Sequence, residues 1–292
     1  MSIARTWKGI FSIFLALTVP AACIPTRQIT VGSAATLLED VAKSANKQSD
    51  LKIIREGMPA YLMLIDGMVE AVPGKAKLLI IAAQAYSSFA AAFVEETDKA
   101  YADALYAKAK KYALQALEAR GFKNPLSKPF EQFENDVAAL GKEDVPYMFW
   151  TATCWGSWVR LNLDSVAAVA ELPRVELLMR RVLALDEQFY YGGPHLFMGI
   201  WFASRPKIAG GDLSKAQYHF EKALEFSGEN FLMTRVYYAD QYARRTLDKD
   251  LFFATLEKVL DIPADNTPEL TLLNTVAHNK AKELLQRADE YF

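Results

Sequence analysis

The chain has 292 residues, 52% of them hydrophobic, which excludes a disordered polymer and allows a sizeable core. Its 33 Lys and Arg against 35 Asp and Glu leave a net charge of −2, without the basic surplus that phosphate-backbone binding needs, so nucleic acid is not an expected partner. Two cysteines exclude a disulfide-stapled scaffold, and stability must come from core packing.

Residues 1–22 read as a signal peptide. Arg5 and Lys8 form a small positive region, and residues 10–19 carry no charge. That run is too short to span a bilayer and suits the apolar stretch of an export signal. Cleavage before Cys23 frees its amine and thiol for lipid attachment, although Pro20 stands where such signals carry Leu. Ordinary cleavage after Ala21, with Val19 and Ala21 as the small pair, is the alternative. Residues 23–33 then form a tether, and residues 34–292 a single helical domain.

From Ala34 onward the periodicity is helical, and no run of β-branched alternation between turn signals predicts a strand. Leu37, Leu38, Val41 and Ala42 mark a first helix. Asp50 caps a short second one carrying Leu51, Ile53 and Ile54. Pro59 is expected to open a third over residues 60–72, ended by Pro73-Gly74. An Ala-rich apolar helix follows over 75–94, then one over 99–120 with Gly121 at its end. Lys108, Lys110 and Lys111 on that helix read as a solvated face.

A short helix over 130–140 leads to Pro146, which opens an unusually aromatic helix over 147–161. Tyr147, Trp150, Trp155 and Trp158 fall on one broad arc of it, while Ala152 and Gly156 lie on another side. Cys154, in the same apolar stretch, reads as a buried, inert thiol. Further helices are predicted over 174–185, 231–246, 251–260 and from Thr267-Pro268 to about 291, with a turn at Gly192-Gly193-Pro194.

Partial repeats organise this series. Ala216, Phe220 and Ala223 reproduce the spacing of a tetratricopeptide (TPR) second helix, and Gly199 with Phe202 that of a first helix. A loop around 204–211 is inserted between them. Gly156 is the matching glycine upstream, with another insertion at 164–173. The fold class expected is all-α, a TPR-like α-solenoid of stacked antiparallel helix pairs.

Motifs for chemistry are missing. There is no H-E-x-x-H, no C-x-x-C, no phosphate-binding loop and no G-x-S-x-G elbow. His195, His219 and His278 are scattered, and the default for His195 and His219 is a hydrogen-bonded structural role. No catalytic residue, metal site or cofactor is expected, and the chain does not read as an enzyme. Tyr147, Trp150, Trp155, Trp158, Tyr190, Tyr191, His195 and Phe202 are the candidates to line an apolar ligand cavity, against the plainer role of core side chains.

At two stretches a resemblance becomes specific: EDVPYMFWTATCWGSWVRLNLDS (143–165) and LDEQFYYGGPHLFMGIWFASRPKIAGGDLSKAQYHFEKALEFS (185–227). Both resemble the T component associated with TRAP transporters (TatT family), as does ELTLLNTVAHNKAKELL after Pro268. The FW-x4-WG run from Phe149 and the YYGGPH run from Tyr190 are the most specific parts. The resemblance implies a periplasmic lipoprotein, anchored to the membrane through Cys23, that associates with the extracytoplasmic solute-binding subunit of a TRAP system. It also implies a homo-oligomer and an apolar channel or cavity for a hydrophobic small molecule. The alternative is a non-catalytic TPR scaffold that binds a peptide or helix in its concave groove.

Overall fold

The computed structural model describes residues 26–292, so the predicted signal peptide and the lipidation candidate Cys23 lie outside the described residues. Among the described residues the fold is all-α, with no strand. The first helix, α1 (Thr26–Asn46), begins well before the expected Ala34, so residues 26–33 of the expected tether are helical.

The second departure is at Pro59. The expected short helix and the one after it are a single element, α2 (Leu51–Ala71), with Pro59 inside. Asp50 accepts from the amides of Lys52 and Ile53 and fixes its start. Pro59 and Arg55, whose carbonyl a proline four residues on leaves unbonded, are both exposed, so water can satisfy the freed group. Ile54, Leu62, Ile65 and Met68 bury one stripe, and that burial outweighs the local break.

The apolar helix α3 (Ala76–Phe89) continues through a wider π turn, Ala90–Val94. Residues 76–94 are long and apolar enough to cross a membrane, but most of the segment is buried against α2 and the helices that follow. Ala82, Ala83 and Ala90 are fully buried, which is what lets α4 (Lys99–Ala119) lie close along it. Gly121, at φ +102°, ends α4 as expected. Next come α5 (Phe130–Ala139), the aromatic helix α6 (Val145–Leu161), a short α7 (Val166–Val169) in the predicted insertion, and α8 (Leu172–Leu185).

The pair α9 (Phe189–Ala203) and α10 (Leu213–Ser227) forms the most extensive helix–helix contact. A β carbon on Gly199 would lie 3.0 Å from the Phe220 ring, so the two residues that matched the repeat spacing do meet. A continuous rod then runs through α11 (Met233–Tyr237), a π segment (Tyr238–Ala243) and α12 (Arg244–Thr246), followed by α13 (Lys249–Asp261). The last helix starts as a single 3₁₀ turn, Pro268–Leu270, and becomes α14 (Thr271–Gln286). Thr267 does not cap it: its hydroxyl donates to Asn230 Oδ1 at 2.8 Å instead.

Two cores result. One joins α1 to α4 and takes Cys154 from α6; the other runs from Leu114 and Leu117 to the C-terminal helices. Tyr147, Trp150 and Trp158 pack against both, so the aromatic helix is the seam between them. The helices also meet end to end: α14 touches α1 and α2. Lys47 pairs with Glu269 and Lys280 with Glu96, each at 3.9 Å.

Candidate functional site

The eight aromatic and histidine candidates separate into four environments. Trp150, Tyr190 and Tyr191 come together. Tyr190 packs against five rings, with centroids 5.0 Å away for Trp150, 5.8 Å for Tyr191, 5.8 Å for Phe231, 5.9 Å for Phe149 and 6.5 Å for Phe189. Phe149, Phe189 and Phe231 are members of this wall that sequence reasoning did not single out. Phe149 was visible in the FW-x4-WG run; Phe231 stands 41 residues further on than Tyr190, and only the fold brings it there.

The wall depends on an unusual backbone. Tyr190, Tyr191 and Gly192 all have left-handed dihedrals, with φ of 49°, 60° and 75°. Each non-glycine residue held there costs about 1 kcal/mol or more, so surrounding contacts must fix it. Gly192 is required for a second reason: an added β carbon would lie 2.9 Å from Phe226 Cβ. A β carbon on Gly193 would lie 2.7 Å from the Phe149 ring. The two glycines in the expected turn therefore let the chain press against α10 and α6 together. Burial pushes the Tyr190 hydroxyl up to about 12, helped by its neighbour Tyr191, so it stays protonated at any physiological pH.

Trp155 and Trp158 occupy a second place. Trp155 is fully buried, and its indole N–H donates to Glu171 Oε2 at 2.5 Å. The same oxygen takes the Lys110 ammonium at 2.5 Å, and that ammonium lies 3.6 Å from the Trp158 ring centre. Lys110 is 8% exposed, so the reading of a solvated lysine face fails at this residue. Burial lowers its pKa against the opposing pull of Glu171. Lys108 also turns inward, onto Asp66, which accepts from Tyr86 and Tyr112 at 2.7 Å each. Burial works against the Asp66 charge, but those donors prevail and hold its carboxyl below the usual range. Lys111 alone of the three is exposed.

Beside Lys110 lies an open groove of about 440 Å³ between α4 and the segment around Pro125, lined by Ala107, Leu114, Leu126 and Trp158 with Lys111 and Glu118 on its edges.

His195 and Phe202 form a third place, in the seam between α9 and α10. His195 Nδ1 is 2.9 Å from His219 Nδ1, and its Nε2 is 3.2 Å from Glu187 Oε2. Phe202 stacks on His219 with centroids 5.7 Å apart. Tyr147 stands apart from all three, beneath the Arg120 guanidinium at 5.4 Å. Cys154 is fully buried, and burial pushes its thiol up to about 12, so it is inert in the folded chain. Among the described residues no cluster of three or more His, Cys, Asp or Glu is arranged to hold a metal.

The body is all-helical, and its most specialised feature is a wall of rings packed mostly edge to face. The profile of one family, the TRAP transporter T-component, matches residues 47–292, and the chain belongs to that family. No curated protein matches the chain at a meaningful level. The family is an accessory component of TRAP transport systems, not known for catalysis, and its location is extracytoplasmic and transport-associated.

Proposed function

We propose that this T component docks the solute-binding subunit of its TRAP system and handles an apolar ligand at the wall around Tyr190. The observation that carries this reading is the convergence of six rings from α6, the left-handed turn and the α10–α11 connection, with Trp150, Tyr190 and Tyr191 only half-buried. A plain core is satisfied by ordinary helical packing. Two tyrosines held in left-handed backbone to present their rings are an expense that a ligand site explains. The contacts of α14 with α1 and α2 bring the two ends of the helix series together and favour a TPR-like stack curled around an interior. In this reading the exported chain is held at the membrane by a lipid on Cys23 and self-associates.

A second reading is a scaffold that binds a peptide or helix and no small molecule. The open groove beside Lys110, with charged edges, favours it.

Native mass spectrometry of the mature chain, purified from its own host, separates the two. It is run alone, then mixed with the solute-binding subunit, for the wild type and for Trp150→Ala. Retention of an apolar molecule that Trp150→Ala loses, or a defined complex with the subunit, supports the first reading. A ligand-free chain that ignores the subunit overturns it.

A further inference from the structure

Neither histidine of the α9–α10 seam is explained by packing alone. The His195 side chain is 3% exposed, and a buried imidazole needs a partner for each nitrogen. Its Nε2 faces Glu187 Oε2, so Nε2 carries the proton and donates. In the neutral ring Nδ1 is then the acceptor, and His219 must donate to it from its own Nδ1 across 2.9 Å. One added proton leaves the contact intact, because one Nδ1 can donate while the other accepts. A second added proton does not. Both Nδ1 atoms then bear hydrogens, and two like charges face each other at hydrogen-bond distance.

This contact sits where the strained turn needs it. His195 follows Gly192 by three residues on α9. On α10, His219, Ala223 and Phe226 form one stripe, and Gly192 presses on the last two. The His195 ring also lies 5.7 Å from Phe226 and 6.1 Å from Tyr218. The other groups bearing on the pair are Glu187, which holds His195, and Arg180 of α8, whose charge disfavours a proton on His219. Lys222 of α10 pairs with Glu225 at 2.7 Å and feels the Glu187 charge more weakly, and Lys215 lies over Phe202. Burial, then His195, then Arg180 hold His219 neutral far into the acid range.

We propose that His195 and His219 form a proton-operated latch on the left-handed turn that carries Tyr190. With at least one imidazole neutral, α9 is tied to α10 and the turn is held. With both charged, the tie breaks, the left-handed strain is released and the aromatic wall loses its shape. The consequence for a ligand rests on the wall reading above; the latch itself does not.

The test uses no ligand, so its failure is distinct from failure of that reading. The mature chain is titrated from neutral pH down through about pH 4 with histidine ring signals followed by NMR. Amide exchange at residues 189–193 is measured in parallel and corrected for its intrinsic pH dependence. The expected result is that His219 titrates well below the ordinary histidine range, and that exchange at 189–193 rises about tenfold or more in that same step. His219→Gln keeps a donor for His195 Nδ1 but cannot take the second proton, and is expected to lose the step. Should that variant fail to fold, Glu187→Gln serves, because it alters an exposed partner of His195 and is expected to shift the step along the pH axis. An unchanged step in either folded variant overturns the latch, as does protonation of His219 with no change at 189–193.

Discussion

Trp150 and Tyr190 meet edge to face, their ring centroids 5.0 Å apart and their planes at 73°. Trp150 belongs to α6, which also seams the two cores, while Tyr190 is presented by left-handed backbone at the head of α9. A double-mutant cycle with Trp150→Leu and Tyr190→Leu, read by urea unfolding, is expected to give a coupling of about 0.5–1.5 kcal/mol. A coupling near zero removes the wall as a unit.

The turn itself is expected to reject side chains by contact as much as by backbone strain. Gly192→Ala combines φ +75° with a β carbon 2.9 Å from Phe226 Cβ. Gly121→Ala has φ +102° and nothing within 4 Å. The first should cost about 2–4 kcal/mol and the second about 1 kcal/mol. Thermal unfolding of both variants checks the difference, and equal costs mean that the Gly192 contact relaxes freely.

Glu171 is the shared partner in the Lys110–Glu171–Trp155 group, so its removal leaves the other two without one. Glu171→Ala is expected to cost about 3 kcal/mol, because it strands the ammonium and the indole N–H together. Replacing the ion pair by Lys110→Met with Glu171→Leu should recover much of that loss. Urea unfolding of the single and double variants decides it: a double variant as unstable as the single one argues that the charge pair is itself stabilising.

Acid should weaken the fold before the carboxylates titrate. The His219 pKa falls from the ordinary 6.5 to about 4 in the folded chain. The unfolded chain therefore binds the extra proton between those values, and stability is lost as pH falls through that window. Fully expressed, a shift of that size is worth about 3 kcal/mol; His219 is only half-buried, and solvent screening brings the expected loss to about 1–2 kcal/mol. Asp66, and Glu95 held against its own burial by the Arg160 guanidinium and the Tyr106 hydroxyl, have lowered pKa values, so their contributions disappear only below the ordinary carboxylate range. Denaturant melts of the wild type and His219→Gln across this window should show the slope in the first and its reduction in the second.

The thiol of Cys154, fully buried and pushed up to about 12, should resist a maleimide in the native chain and react once urea unfolds it. Fast native labelling means that α6 opens from the first core far more often than its packing implies.

What the sequence determined by itself is the local grammar: helix after helix, the breaks at Gly121 and Gly192, the alanines that let α3 and α4 approach, and the Gly199–Phe220 register. Each follows from periodicity or from the dihedral freedom of a residue type, which the chain carries wherever it goes. Tertiary structure decided the rest, because burial is a property of neighbours. Pro59 stays inside one helix since the buried stripe of α2 outweighs a single lost hydrogen bond. Lys110 is buried since Glu171, distant in sequence, arrives to neutralise it. The aromatic candidates looked alike in the sequence, yet Trp150, Tyr190 and Tyr191 share a wall with Phe231. Trp155 and Trp158 cradle an ion pair, and His195 reaches a second histidine 24 residues away, across a seam that exists only once α9 and α10 have packed.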